Sequence, residues 1–164
     1  EKFCKYISKK AFKIADSQVA SRWGNITEFK NFDLITPNEK EARFSLADQD
    51  STVGGLAGRL KTKTNYKNII LKLGSRGIVC CSGKVPEIYS IGSFADNVLD
   101  AVGSGDALLA YSSLILKTTN SIVAAGIIGS IAAACECEID GNKPINVDLV
   151  LQKIDSIEKK TQYN

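Results

Sequence analysis

Short apolar runs alternate along the chain with stretches of helical periodicity, the pattern of an α/β fold with a mostly parallel sheet flanked by helices. "FKIAD", ending at Asp16, and "FDLITP", ending at Pro37, read as buried strands that stop where polar or proline punctuation begins. "NEKEARFSL" reads as a helix with Asn38 as its cap and acids in its first turn, where the helix dipole favours them. A second helix is expected over 51–62. "NIILKLG" supplies the next strand, followed at hairpin spacing by "GIVCCSG" and "KVPEIYS" through turns containing Gly77 and Gly83. A helix over 104–117 places Leu108, Tyr111, Leu114 and Ile115 at helical spacing. "SIVAAGIIGSIAAAC", from Ser121, reads as a buried helix and "VDLVLQKI" as a further one, while "EKFCKYISKKAFKI" reads as the end of a surface helix running into the first strand. No repeat, low-complexity tract or linker interrupts this order, so the pattern predicts a single α/β unit over residues 1–164.

Composition narrows the function classes. A 44% hydrophobic content with 24% charged residues belongs to a chain that buries a core, and a net charge of +3 with scattered lysines gives no basic stripe for nucleic acid. The Ser121 segment is shorter than the roughly 20 apolar residues a membrane span needs, and the N-terminal stretch lacks the uninterrupted apolar run of a secretory signal. The cysteines (Cys4, Cys80, Cys81, Cys135, Cys137) show no paired zinc spacing, and histidine is absent. An odd count with vicinal cysteines inside a strand suits reduced core thiols, hence a cytoplasmic chain.

The segment "LDAVGSGDALL" carries the chemistry. At a helix start the first amides lack intrahelical acceptors, so Gly103, Ser104 and Gly105 are placed to aim N–H groups at an anion. A dinucleotide fingerprint would need glycine where Leu108 stands, and a Walker loop would need a lysine followed by serine or threonine. What remains is an anion hole with Asp106 in the first helical turn, its charge favoured by the same dipole. Such an acid can take the proton of a hydroxyl attacking a terminal phosphate while the amides hold the transferred group. On this motif alone, a glycine turn with a dipole-favoured aspartate explains the residues equally well.

Two further stretches point the same way. In "TPNEKEA", Asn38 and Glu41 are spaced to share one helix face at the carboxyl edge of the sheet, where an amide and a carboxylate suit hydrated magnesium on nucleotide phosphates. "KLGSRG" ends a strand in a glycine-rich turn at Gly74 and Gly77. Each has a purely structural reading too, as a helix cap and as a turn.

The order "PNEKE", "LKLGSRG", "DAVGSGDALLA" resembles the carboxyl-terminal half of the ribokinase-like (PfkB) carbohydrate kinases, from about Ile14 to Pro144. "ADSQ", "NITEFKNFDLITPNEKEAR" and "GNKP" are most similar to the branch that phosphorylates heptose 7-phosphate in ADP-heptose synthesis. The resemblance implies an ATP-dependent kinase acting on a hydroxyl of a sugar or sugar phosphate with Mg2+. Asp106 is the implied base, with Gly103, Ser104 and Gly105 the implied anion hole. Asn38 and Glu41 are implied to act on magnesium and the phosphates, Gly74, Ser75 and Gly77 to lie beside the nucleotide, and Asp100 to sit where many members hold a monovalent cation. Lys72 and Ser130 stand at nucleotide-side positions where many members carry threonine and asparagine. Ala101 and Val102 replace the family's usual threonines after the first aspartate.

The resemblance covers the nucleotide and catalytic half only, so the implied partner is the family's amino-terminal half, and this chain by itself is expected not to turn over a sugar. An apolar sheet edge near Phe12 left without that half would favour homo-oligomers. The competing reading is a non-catalytic nucleotide-binding or scaffolding module on the same fold.

Overall fold

A computed structural model of the chain describes residues 6–8, 10–16, 26–141 and 143–162. It divides into two compact units, Glu1–Ile91 and Gly92–Asn164, where the sequence pattern suggests one.

The first unit is built on a five-stranded sheet in the order β1 (Ile14–Ala15), β2 (Leu34–Ile35), β3 (Asn68–Lys72), β4 (Ile78–Ser82), β5 (Glu87–Ile91). Strands β1, β2 and β3 pair in parallel, and β3, β4 and β5 continue as an antiparallel meander. Each predicted strand is present, although β1 and β2 are shorter than the apolar runs that announced them. Their neighbours are held by other means. The Asp33 carboxylate accepts the Lys13 amide at 2.7 Å and the Lys67 ammonium at 2.6 Å, and the Pro37 carbonyl accepts the Lys72 amide at 2.8 Å as the chain leaves the sheet.

Helices α1 (Glu39–Leu46) and α2 (Val53–Thr64) supply Ala42, Leu56, Ala57 and Leu60 to a core shared with Ile35, Ile69, Leu71, Val79 and Cys81. Burying each of the larger side chains is worth about 1.5–3 kcal/mol, which holds strands that pair over so few residues. Thr52 caps α2, its hydroxyl accepting the Gly55 amide at 3.1 Å, and Asn65 ends the helix at φ 57°, a left-handed position that asparagine tolerates. Lys61 is buried, its ammonium donating to the carbonyls of Tyr66 at 2.6 Å and Lys67 at 2.7 Å, and burial lowers its pKa.

The second unit is helical, with α3 (Ser104–Thr119), α4 (Ile122–Cys137) and α5 (Val147–Gln162). Helices α3 and α4 form a hairpin across Asn120 and Ser121, the latter capping α4 through its hydroxyl on the Ala124 amide at 3.2 Å. Leu108, Ser112 and Leu116 are the buried residues of α3. Of the residues at helical spacing, Leu108 is buried, Tyr111 and Ile115 are half-buried, and Leu114 is 65% exposed. The contact centres on a small polar residue instead: a Cβ built on Gly129 would stand 1.9 Å from the Ser112 hydroxyl, so the helices close where both partners are small. Ser112 spends its hydroxyl on the Ala125 carbonyl at 2.9 Å. Helix α5 contributes Val150, Ile154 and Ile157 to a cluster with Ile131, Cys135, Tyr111 and Phe94.

Cys80, Cys81 and Cys135 are buried free thiols, Cys137 is half-buried and free, and Cys4 lies outside the described residues. Of the stretch read as the end of an N-terminal helix, residues 1–5 and 9 fall outside them too, while the described residues 6–8 and 10–13 form no α-helix; Ser17, Gln18, Asn25 and Asn142 of the stretches compared with the heptose kinase branch also fall outside. No described helix is long and apolar enough to cross a membrane.

Candidate functional site

In the first unit, β3 delivers Lys72 to the sheet's carboxyl edge and then turns sharply. Residues Gly74–Arg76 form a single 3-10 turn, opened by Gly74 at φ 63° and closed by Gly77 at φ 85°, whose amide donates to the Gly74 carbonyl at 3.0 Å. A Cβ on Gly74 would meet nothing within 4 Å, so the left-handed backbone, rather than crowding, selects glycine there. Beside this turn Asn38 bridges to Lys72 across the sheet edge and starts α1.

The start of α1 is a reciprocal capping box. The Asn38 Oδ1 accepts the Glu41 amide at 2.8 Å and the Glu41 Oε2 accepts the Asn38 amide at 2.7 Å. Glu41 is 3% exposed.

A cavity of about 350 Å³ opens here, lined by Asn38, Glu39, Lys40, Lys72, Leu73, Gly74 and Arg76. Asn38, Lys72 and Gly74 are thus brought together as the sequence suggests, while Glu41, Ser75 and Gly77 are not in the lining. Three cationic side chains against one acid make the cavity a fit for a phosphate chain. Sequence reasoning passed over Lys40 and Arg76, although both stand inside the motifs it quoted. Two of the three cations are held in place: Lys72 Nζ lies 2.8 Å from the Asp16 carboxylate and Arg76 pairs with Glu39, which also accepts from Arg43 at 2.8 Å. Hydrogen bonds from Arg43 and Arg76 outweigh burial and keep the Glu39 pKa below its ordinary value. No cluster of three or more acidic or cysteine side chains is gathered for a metal among the described residues. Magnesium carried by nucleotide phosphates keeps most of its waters and asks the protein for one or two oxygen ligands; Asn38 lines the cavity, while Glu41 is buried behind it with Oε2 on the Asn38 amide.

In the second unit, the segment 92–103 leads into α3. Asp100 folds back on itself, its Oδ1 accepting the Val102 amide at 2.9 Å, and the amides of Leu99 and Asp100 donate to the Cys137 carbonyl at 2.8 and 3.2 Å. Gly103 takes φ 87° and Ser104 starts the helix, its hydroxyl donating to the Ala101 carbonyl at 2.8 Å and its amide to the same oxygen at 3.3 Å. The next two amides, of Gly105 and Asp106, have no acceptor among the described residues. Asp106 is exposed in the first turn. The helix start therefore offers two open N–H groups, one weakly engaged N–H and a carboxylate, all on one turn. Ser130, a sequence candidate for nucleotide contact, is buried in α4 beside Gly129.

Over residues 6–144 the chain matches the pfkB family of carbohydrate kinases, and it belongs to that family. It is 28% identical over 138 residues to the bifunctional protein HldE of Campylobacter curvus, and 27% over 139 residues to that of Campylobacter concisus, in both cases covering 82% of this chain and 29% of the relative. Among solved structures it is similar to ribokinase from Thermotoga maritima, with a TM-score of 0.76 at 22% identity over 94% of this chain and 52% of the other. Phosphofructokinase-2 from Escherichia coli, crystallised with potassium, gives a TM-score of 0.74 at 17% identity over 88% and 47%. These likenesses establish a ribokinase-like fold, and the chain spans about half the length of those structures.

Proposed function

We propose that the protein is the nucleotide-binding and catalytic part of an ATP-dependent sugar kinase. The observation that carries this reading is the first turn of α3, where Asp106 stands beside unclaimed amides behind a left-handed Gly103. In the proposed step a sugar hydroxyl oxygen bonds to the γ-phosphorus of ATP. The bond to the β,γ-bridging oxygen breaks, ADP leaves with that electron pair, and the hydroxyl proton passes to Asp106. Ser104, Gly105 and Asp106 amides hold the transferred phosphoryl oxygens, Gly103 supplying the backbone turn that frees them. The cavity beside Asn38, Lys72 and Gly74 takes phosphate charge, with Ser75 and Gly77 shaping its turn. Asn38 and Glu41, at the start of α1, would hold the water shell of a magnesium ion brought with the nucleotide, whose chemistry there would be to neutralise phosphate charge. Asp100 is assigned to a monovalent cation, in line with the potassium named for the phosphofructokinase-2 structure.

The acceptor we propose is a sugar phosphate of the heptose 7-phosphate type, on the strength of the HldE relatives. We further propose a cytoplasmic protein completed by the family's amino-terminal half and assembling through β1, the edge strand of the sheet among the described residues. A second reading, a nucleotide-binding module without catalysis, draws on the capping box, which accounts for Asn38 and Glu41 without a metal.

The test is transfer from labelled ATP by the intact gene product, with magnesium and a panel containing heptose 7-phosphate, ribose and fructose 6-phosphate. Sugar-dependent transfer is expected, strongest with heptose 7-phosphate. ATP binding without transfer to any acceptor would establish the second reading.

A further inference from the structure

The segment 92–103 has no helix or strand of its own, yet it places the first turn of α3. Among the described residues, the hydrogen bonds that leave it for elements other than α3 end on two adjacent residues at the end of α4 and two lysines of α5. The Cys137 carbonyl accepts the Leu99 and Asp100 amides. The neighbouring Glu138 accepts the Asp96 amide at 2.8 Å through Oε1 and both its oxygens accept from Lys153 Nζ, at 2.7 and 3.0 Å. Lys153 also donates to the Asp96 carboxylate at 3.0 Å, and Lys160 adds a second contact there at 2.9 Å. The pairs differ in setting: the Lys153 and Glu138 side chains are 11% and 25% exposed, whereas those of Lys160 and Asp96 are 60% and 62% exposed. An exposed pair contributes little, whereas removing one member of a shielded pair leaves the other charge uncompensated.

We propose that Lys153, acting through Glu138 and Asp96, is a positioning residue that clamps segment 92–103 to the end of α4 and so fixes Asp106 and the open amides in register for phosphoryl transfer. The inference rests on the reading of Asp106 as the base. Nothing in α5 touches the first turn of α3 through a hydrogen bond among the described residues, so the influence runs along the segment: Glu138 holds Asp96, Cys137 holds Leu99 and Asp100, and the Ala101–Ser104 turn follows directly. Phe94, packed in the α4–α5 cluster, anchors the same segment from its apolar side. A misplacement of about 1 Å at a reacting group is enough to cost about 100-fold in rate, so a loosened clamp is felt at the chemistry before it is felt in the fold.

The experiment follows amide hydrogen exchange in this chain and turnover in the intact gene product for Lys153→Met, Lys153→Arg, Glu138→Ala and Lys160→Ala. Exchange in peptides covering 96–106 is expected to rise about 10-fold in Lys153→Met and Glu138→Ala, with peptides of α1 and α2 unchanged. Lys153→Arg restores protection and Lys160→Ala leaves it alone. The kcat is expected to fall about 10-fold in Lys153→Met and Glu138→Ala, with KM for ATP within twofold of the parent and recovery in Lys153→Arg. Glu138 is only half-buried, so its variant keeps the test open if Lys153→Met fails to fold. Unchanged exchange over 96–106 in folded Glu138→Ala or Lys153→Met overturns the clamp, as does a loss of kcat that Lys153→Arg does not recover. If Asp106→Asn turns over at the parent rate, the base assignment has failed, and the exchange arm reports on the clamp separately.

Discussion

Asn38 and Glu41 cap each other: the side chain of each accepts the backbone amide of the other, at 2.8 and 2.7 Å. The reciprocity separates a structural role for Glu41 from a role toward magnesium, because glutamine also serves at the third position of a capping box. Glu41→Gln is expected to keep the melting temperature of the parent while raising the magnesium concentration needed for half-maximal turnover severalfold. Glu41→Ala should raise the magnesium requirement and also cost about 1 kcal/mol of stability. Thermal melts and magnesium titrations of both variants decide the matter. A magnesium curve unmoved by glutamine leaves Glu41 as a cap alone.

For Asp106→Asn the helix start keeps its shape and the proton acceptor is lost. Turnover in the intact gene product is expected to drop at least about 100-fold, the low end of general base catalysis, with ATP affinity retained. Steady-state kinetics alongside nucleotide titration check this, and a variant with parent turnover would assign the proton to another group.

The parts of the fold that were readable in the sequence are those set by local chemistry. "NIILKLG" announces β3 by its apolar run, and Asn38 three residues before Glu41 announces both the start of α1 and its cap. The exposure of Leu114 is not legible, because helical spacing yields two overlapping faces, and the one that packs is centred on Ser112, which hydrophobicity does not flag. Its partner Gly129 is distant in sequence, so no local pattern reveals the close approach. The candidate site divides the same way. Gly103, Gly105 and Asp106 are contiguous and legible, whereas the tie between Asp96 and Lys153 spans 57 positions and exists only in the fold.

Gly129→Ala tests that close approach directly. The new methyl group would lie 1.9 Å from the Ser112 hydroxyl and 3.0 Å from the Leu108 carbonyl, and the latter is backbone that does not swing aside. Overpacking of this kind costs about 1–3 kcal/mol. Urea denaturation should show the loss, and Ser112→Ala added to Gly129→Ala should recover part of it by removing the nearest atom. A parent-like midpoint for Gly129→Ala would mean that α3 and α4 separate at little cost.

Asp33 sets an acid limit on the first unit. Burial alone would raise its pKa, but the Lys13 amide on one oxygen and the Lys67 ammonium on the other outweigh it and hold the carboxyl below its ordinary value of 3.8. The folded protein therefore binds the Asp33 proton less readily than the unfolded chain does. The contribution is complete above the unfolded value and disappears as pH falls through the lower, folded one. Asp33→Asn keeps an oxygen for the Lys13 amide but loses the charge, so at pH 7 it should be less stable than the parent by about 1.5–3 kcal/mol, the range for a hydrogen bond to a charged group. Other carboxylates titrate in both proteins, which makes the difference between the two urea curves the informative quantity. That difference is expected to shrink steadily from pH 5 to pH 2 and to be smallest at the acid end. A gap that stays constant with pH would show that Asp33 works by shape and not by charge.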